Sequence, residues 1–220
     1  MILEFTTFAR KLLRKTKLTG LAHKIRMLWH RPEYEDQFAD VLLASIQPGD
    51  CVWDIGANIG FYTERFSKVA RQVVAFEPIF ANWEQIESKH LSNVECLQVA
   101  LGDVSGEMSM FVDNQFSSIA VAPYPGAPEQ KVRVVRGDSF SSLPRPTVAK
   151  IDVEGYELEV FRGLQGILDG VRALFIEVHF QVLSERGMEQ APAALVKDLK
   201  RAGFARIQWP DASHIAAFRA

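Results

Sequence analysis

A carboxylate and two glycines stand in the short segment Asp54–Gly60, directly after an apolar run. Their order predicts a strand, a tight glycine turn and a helix start, which together bring free backbone N–H groups to a nucleotide-like ligand. A carboxylate two residues before Gly56 repels a pyrophosphate but suits an ammonium group or a ribose hydroxyl. The pattern of Asp54, Gly56, Asn58 and Gly60 therefore favours S-adenosylmethionine over a dinucleotide as the cofactor.

Two further carboxylates follow predicted strands. Glu77 ends the second strand at close to the spacing of about 20 residues expected for a ribose-binding carboxylate, although it could also cap the next helix. Asp103 follows the third strand and suits the amino group of adenine, with Leu101 offering apolar surface to the ring; a turn-forming role for Asp103 fits nearly as well. Since parallel strands end at one edge, we expect Asp54, Glu77 and Asp103 to face one crevice.

Three more carboxylates lie in the segment Lys150–Glu157, where a buried strand is predicted to open into a helix. The helix dipole stabilises acidic residues in the first turn, so Glu157 could serve only as a cap, whereas Asp152 ends an apolar strand and indicates a site. Asp152 and Glu154 could bind magnesium, but hydrogen bonding explains the same residues, and the metal stays unassigned. His179 ends a later strand, where imidazole is suited to taking up a proton.

From Cys51 onward the hydrophobic pattern alternates between strand and helix and predicts a doubly wound, mostly parallel α/β sheet. The predicted parallel strands are Cys51–Ile55, Gln72–Phe76, Val94–Val99, Thr147–Asp152 and Ala173–His179. The predicted helices run from Gly60 to about Ala70, from Ala81 to about His90, from Tyr156 to Leu168 and from about Ala193 to Ala202. Phe204–Gln208 and Ile215–Arg219 are predicted to close the sheet as an antiparallel pair.

The pattern divides the chain into a basic helical extension, residues 1–48, and a cofactor-binding domain, residues 49–220. Residues 1–30 could lie on a membrane surface as an amphipathic helix, but packing on the domain or on a second subunit requires the same pattern and is favoured. An insert at about 104–146 is predicted to form a hairpin of Glu107–Val112 and Lys131–Val135. Its proline-rich loop is a candidate lid over the crevice.

Composition excludes several functions. The 220 residues carry a formal net charge of −2, which disfavours a nucleic-acid partner. Cys51 and Cys96 lack metal-ligand spacing, and His214, in the final turn, has no ligand spacing with another histidine, so no structural zinc is expected. The two cysteines lie in apolar runs and suit a reducing cytoplasm, and the absence of a long apolar stretch predicts a soluble or peripheral protein. It could still associate with the inner membrane surface and form a homo-oligomer.

Four ordered motifs together resemble the FkbM family of methyltransferases. They are D-I-G-A-N-I-G-F-Y-T at Asp54–Thr63, F-E-P at Phe76–Pro78, A-L-G-D at Ala100–Asp103 and K-I-D-V-E-G-Y-E-L-E-V-F-R-G at Lys150–Gly163. The resemblance implies a class I, Rossmann-like fold that uses S-adenosylmethionine. It also implies methylation of a hydroxyl group on a sugar, a glycan or a polyketide-like metabolite.

With this resemblance, the residue pattern predicts a cofactor site and a catalytic site. The cofactor residues would be Asp54, Gly56, Asn58, Gly60, Glu77, Leu101, Asp103 and Asp152, and the catalytic candidates are Asp152, Glu154 and His179, with Glu157 and Glu177 as further carboxylates. Two alternatives remain open. One is a non-catalytic or membrane-associated protein that retains the binding site; the other is an NAD-linked oxidoreductase, which the missing G-x-G-x-x-G pattern disfavours.

Overall fold

The computed structural model describes residues 32–112, 117–118, 126 and 128–220. The chain divides into two compact units, Met1–Gln37 and Phe38–Ala220. Of the first unit only residues 32–37 are described, as the beginning of helix α1 (Pro32–Ser45). The basic helix predicted before residue 31 therefore lies outside the described residues, and its role stays a prediction. No helix in the described ranges combines the length and hydrophobicity that a membrane crossing requires.

A seven-stranded sheet forms the centre of the second unit. The strands of the described residues are β1 (Cys51–Ile55), β2 (Gln72–Phe76), β3 (Val94–Leu97), β4 (Ala100–Gly102), β5 (Gly106–Val112), β6 (Ser117–Ser118), β7 (Glu129–Arg136), β8 (Val148–Ile151), β9 (Ala173–Glu177), β10 (Phe204–Gln208) and β11 (His214–Arg219). The large sheet has the order β10-β11-β9-β8-β1-β2-β3, and only β11 runs against its neighbours. The predicted parallel sheet with a closing antiparallel pair is confirmed.

Helices cover both faces of this sheet. They are α2 (Phe61–Ser67), α3 (Phe80–Glu87), α4 (Glu157–Gly163), α5 (Phe180–Glu185) and α6 (Ala191–Arg201). Because successive strand residues point to opposite faces, Val52 packs in one core with Phe38 of α1 and Phe66 of α2. Its neighbour Trp53 packs in the other core with Phe161 of α4. This doubly wound architecture is the predicted fold class.

The chain leaves the large sheet after β3, which corrects one predicted element. A single strand was expected over Val94–Val99, but β3 ends at Leu97, and β4 belongs to a second sheet of order β4-β7-β5-β6. The physical reason is hydrogen bonding: β4 pairs in parallel with β7. β5 and β7 form the predicted antiparallel hairpin, but most of the loop between them lies outside the described residues.

Two predicted boundaries beyond β8 are wrong. One helix was expected over Tyr156–Leu168, but α4 ends at Gly163 and a 3₁₀ helix, Gln165–Gly170, follows. At Gly163 the helix touches β4 so closely that a Cβ atom there would lie 1.9 Å from the carbonyl oxygen of Gly102. The last parallel strand was expected to reach His179, but β9 ends at Glu177, and α5 begins directly after His179.

Candidate functional site

The loop after β1 has an unusual backbone conformation. Gly56, Asn58 and Gly60 have φ values of 81°, 51° and 82°, a region that glycine enters without steric cost. A Cβ atom on Gly56 would lie 1.8 Å from the backbone oxygen of Asp152, so the chain after β8 packs directly on this glycine. The predicted tight glycine turn is therefore present at the carboxyl ends of β1 and β8, where Asp152 fills the space that a side chain on Gly56 would need.

Glu77, directly after β2, joins the glycine loop to α3. Its Oε2 accepts a hydrogen bond from the backbone N–H of Asn58 at 2.9 Å, and its Oε1 accepts one from Ile79 at 2.9 Å. Burial raises the pKa of Glu77, although these N–H groups oppose the shift. The contact with Ile79, the residue before α3, matches the capping alternative. A carboxylate offers about four acceptor positions, so ribose binding by Glu77 stays a prediction.

Asp54 lies inside the protein. Its Oδ2 accepts a hydrogen bond from the Thr63 hydroxyl at 2.6 Å, and its Oδ1 lies 3.8 Å from the Lys150 ammonium nitrogen. Within the described part of the chain, Oδ1 accepts no hydrogen bond. Burial raises the pKa of Asp54, while Lys150 and Thr63 oppose the shift. The ammonium partner of Asp54 in this structure is thus a lysine, and contact with a cofactor stays a prediction.

Lys150 is a buried cation that the sequence analysis did not assign. Its ammonium nitrogen lies 3.0 Å from Oδ2 of Asp152, and it sits 4.9 Å from the centre of the Tyr62 ring. Burial acts to lower the pKa of Lys150, but Asp152 and Asp54 outweigh it and raise the pKa. For Asp152, burial acts to raise the pKa, but Lys150 lowers it below its usual range. A lysine inside an otherwise apolar strand was the available signal.

His179 brings the predicted catalytic residues together. Its Nδ1 lies 2.6 Å from Oε1 of Glu157, a nearly inaccessible carboxylate. Its Nε2 lies 3.3 Å from Glu154 and 3.8 Å from both Asp152 and Glu177. Burial acts to lower the pKa of His179, but the hydrogen bonds to Glu154 and Glu157 raise it well above 6.5. The raised pKa favours the charged form of the imidazole, and Glu157 fixes its orientation.

The same cluster has the composition of a cation site. One ligand atom each of Asp152, Glu154 and His179 lies within 4.8 Å of the others. Carboxylate oxygens and a neutral imidazole nitrogen are ligands that divalent metals accept, and a metal would replace the imidazole proton. The structure thus adds His179 to the two carboxylates for which the sequence suggested magnesium, and the metal stays unassigned.

A second imidazole, His214, faces the same group of carboxylates. It opens β11 opposite Glu177 of β9, and its Nε2 lies 3.4 Å from Oε2 of that residue. Its Nδ1 lies 2.8 Å from the Asp211 carboxylate, and its ring stacks on Phe38 at 3.8 Å. Burial acts to lower the pKa of His214, but Glu177 and Asp211 raise it. His214 has no predicted role, because its register with Glu177 depends on how β11 pairs.

Two predicted adenine-side residues lie on the second sheet. Leu101 of β4 is buried in the main core, which indicates a packing role. Asp103 follows β4, and its backbone oxygen accepts a hydrogen bond from Arg136 at 2.7 Å. Asp103 was expected to follow the third strand of the large sheet, but it follows β4 of the second sheet, since the chain leaves the large sheet after β3. Adenine contacts of Leu101 and Asp103 stay predictions.

Comparison with known proteins identifies the family. The family model described as "Methyltransferase FkbM domain" matches residues 54–206. Hexuronic acid methyltransferase AglP from Haloferax volcanii is 29% identical over 151 residues, which cover 66% of this chain. The match spans 62% of the length of that curated relative.

Solved structures share the fold at low identity. The methyltransferase FkbM from Methylobacillus flagellatus has a TM-score of 0.53 and 16% identity, with 79% of this chain and 44% of that chain covered. SMU.1697c from Streptococcus mutans, solved in complex with SAH, has a TM-score of 0.56 and 14% identity, with 86% and 98% covered. These likenesses show a class I methyltransferase fold. Because the family model matches more than half of its residues, the chain belongs to the FkbM methyltransferase family.

Proposed function

We propose that this protein is an S-adenosylmethionine-dependent methyltransferase that acts on a hydroxyl group of a sugar, a glycan or a polyketide-like metabolite. The observation that carries the proposal is the position of the His179 and carboxylate cluster directly beside the glycine loop, where Asp152 contacts Gly56. Family membership supports methyl transfer, and the name of the relative AglP supports a sugar acceptor.

The residues at this edge fit the proposed cofactor. Gly56 and Gly60 allow the tight turn at the ends of β1 and β2, and the carboxyl groups of Glu77 and Asp152 lie beside it. A sulfonium, an ammonium and two ribose hydroxyls are all groups that such carboxylates complement, whereas a pyrophosphate is not. When bound, the cofactor supplies an electrophilic methyl group on a sulfonium centre.

The His179 cluster would position the acceptor and take up its proton. A hydroxyl oxygen attacks efficiently only if its proton leaves as the new bond forms, so a base must lie beside it. Nε2 of His179 faces the partly exposed carboxylates, while Glu157 holds Nδ1 and thereby selects which nitrogen reacts. We assign proton uptake to the fraction of molecules in which His179 is neutral, with Asp152 and Glu154 positioned to bind the acceptor hydroxyls.

Two other interpretations of the sequence have less support. The interpretation as an NAD-linked oxidoreductase is disfavoured because the chain belongs to a methyltransferase family. A non-catalytic binding protein would not need a histidine oriented by a buried carboxylate, as His179 is by Glu157. An activity assay separates this last interpretation from the proposal.

Transfer of a labelled methyl group tests the proposed function. The full chain is incubated with methyl-labelled S-adenosylmethionine and extracted cell-surface glycans, and the label in the glycan fraction is counted. We expect incorporation with the native protein, and a reduction of about 100-fold or more in a His179→Asn variant that still binds S-adenosylhomocysteine. Equal labelling by both proteins would contradict the assignment of the base, and cofactor binding without transfer to any acceptor would favour the non-catalytic interpretation.

A further inference from the structure

An aromatic pair lies exposed near the His179 cluster. Phe180 and Trp209 have 45% and 41% of their surface accessible, although large apolar side chains ordinarily contribute to a core. Their ring centres are 5.9 Å apart and their planes are inclined by 31°. The two rings are therefore neighbours, and each is partly open to solvent.

The chain places this pair beside both imidazoles. Phe180 follows His179 directly and opens α5. Trp209 follows β10, which runs parallel to β9 because both pair antiparallel with β11, so the two strands end at the same edge. Trp209 also precedes Asp211, the partner of His214, by two residues. Phe180 thus belongs to the segment that carries His179, and Trp209 belongs to the segment that holds His214.

We propose that Phe180 and Trp209 form the subsite that binds the pyranose ring of the acceptor sugar. The C–H groups on one face of a pyranose carry partial positive charge and pack on the negative face of an aromatic ring. The hydroxyl groups at the ring edge are donors, and the neighbouring side chains of Asp152, Glu154 and Glu177, each about one quarter to one third exposed, are acceptors. This inference rests on the proposed function and deepens it by naming an acceptor subsite.

The charge near the pair favours a sugar over a lipid surface. An anionic membrane attracts basic residues, but the partly exposed groups in this cluster are mainly carboxylates. A lipid tail also needs only apolar area, whereas the C–H face of a pyranose packs on an aromatic ring such as those of Phe180 and Trp209. The aromatic pair and the neighbouring carboxylates therefore match a polyhydroxylated and uncharged pyranose ring.

Saturation-transfer NMR with neutral methyl hexopyranosides tests the subsite. The full chain is saturated with S-adenosylhomocysteine and titrated with the methyl pyranosides of glucose, galactose and mannose. The variants are Trp209→Phe, which keeps a flat ring, Trp209→Leu, which keeps apolar area without a ring, and Phe180→Ala. Val69→Ala is the control, because Val69 is exposed beyond the end of α2, near the opposite edge of the sheet. Circular dichroism checks that each variant folds.

We expect saturable transfer to at least one pyranoside in the native protein. Trp209→Leu and Phe180→Ala should weaken it by about three- to tenfold, while Trp209→Phe and Val69→Ala stay close to native. Native-like binding by Trp209→Leu, or no pyranoside binding by the cofactor-loaded native protein, would overturn the inference. Calorimetry with S-adenosylhomocysteine separates the subsite from the proposed function. If the native protein does not bind S-adenosylhomocysteine, the proposed function fails. If the native protein and every variant bind it, the pyranoside titrations test the subsite alone.

Discussion

At the scale of single residues, the ionisation of His179 decides what the cluster can do. Glu154 and Glu157 hold its pKa well above the ordinary value of 6.5, and a charged imidazole cannot accept a proton. A base with this pKa is active only in the fraction of molecules that have lost the proton. The rate of methyl transfer should therefore increase with pH through a midpoint above 6.5.

Replacing Glu157 with Gln tests this dependence. Removal of the carboxylate charge destabilises the imidazolium form, so the pKa of His179 falls and the midpoint of the rate profile shifts to lower pH. Glu159→Gln is the matched control, because Glu159 lies on the same helix and pairs with Arg186. The profile is obtained from initial rates at saturating cofactor. An unchanged midpoint in the Glu157 variant would mean that another group accepts the proton.

At the scale of elements, α4, which covers the large sheet, packs closely on β4, the first strand of the second sheet. Gly163 allows this contact, because the carbonyl oxygen of Gly102 occupies the place of a side chain. In an ordinary helix, replacing glycine with alanine stabilises a protein by about 0.5–1 kcal/mol. At Gly163 we expect the opposite sign, a loss of about 1–3 kcal/mol, because the added methyl group forces the two elements apart.

Urea unfolding of Gly163→Ala measures this effect. Gly106→Ala serves as the control, because nothing lies within 4 Å of a Cβ atom at that position. The control should stay within about 0.5 kcal/mol of the native protein. If the Gly163 variant unfolds at the same urea concentration as the native protein, or at a higher one, the packing of α4 on β4 is not as tight as described.

The elements also show how far the sequence predicts the fold. β1 and β2 have the predicted bounds, because each is a short apolar run that is bounded by turn residues and buried on both faces. The transfer of β4 to the second sheet could not be predicted, since Ala100–Gly102 continues the apolar pattern of β3 and only long-range pairing with β7 separates them. α5 is too short for a helical period to appear.

The candidate site was predictable where its residues share a short segment. Asp152, Glu154 and Glu157 lie within one motif, and parallel strand order brings His179 to them. His214 was missed because its place opposite Glu177 depends on the register of an antiparallel pair. The carboxyl edge of the sheet thus holds candidate residues that the motifs indicate, and one further candidate, His214, that only the strand pairing identifies.

At the scale of the whole molecule, charge differs between the two edges of the large sheet. At the amino edge, Asp50 binds Arg172 and accepts a hydrogen bond from the Thr147 hydroxyl at 2.7 Å. Burial acts to raise the pKa of Asp50, but Arg172 and the other donors lower it. The carboxyl edge instead gathers carboxylates around two imidazoles, His179 and His214. Low pH should therefore weaken the contacts of Asp50 at the amino edge, and high pH should weaken the imidazole–carboxylate contacts at the carboxyl edge.

This distribution predicts how stability depends on pH. Both imidazoles have a higher pKa in the folded protein than the ordinary value of 6.5, so their contribution is complete below that value and is lost as pH rises through the folded pKa. The free energy of unfolding, from urea titrations at several pH values, should decrease above about pH 6.5. A His214→Gln variant should show a smaller decrease. An equally steep decrease in that variant would exclude His214 as a source of the pH dependence of stability.

Binding of S-adenosylhomocysteine, measured by calorimetry, tests the central claim that the glycine loop and the neighbouring carboxylates form an adenosyl-cofactor site. We predict that the native protein binds it and ignores NAD. Gly56→Ala should weaken binding by about tenfold or more, because the added Cβ atom collides with the backbone of Asp152 and displaces the loop. Gly49→Ala, a position with open space, should bind as the native protein does. No binding by the native protein, equal binding of NAD, or native affinity in a folded Gly56→Ala variant would contradict the account.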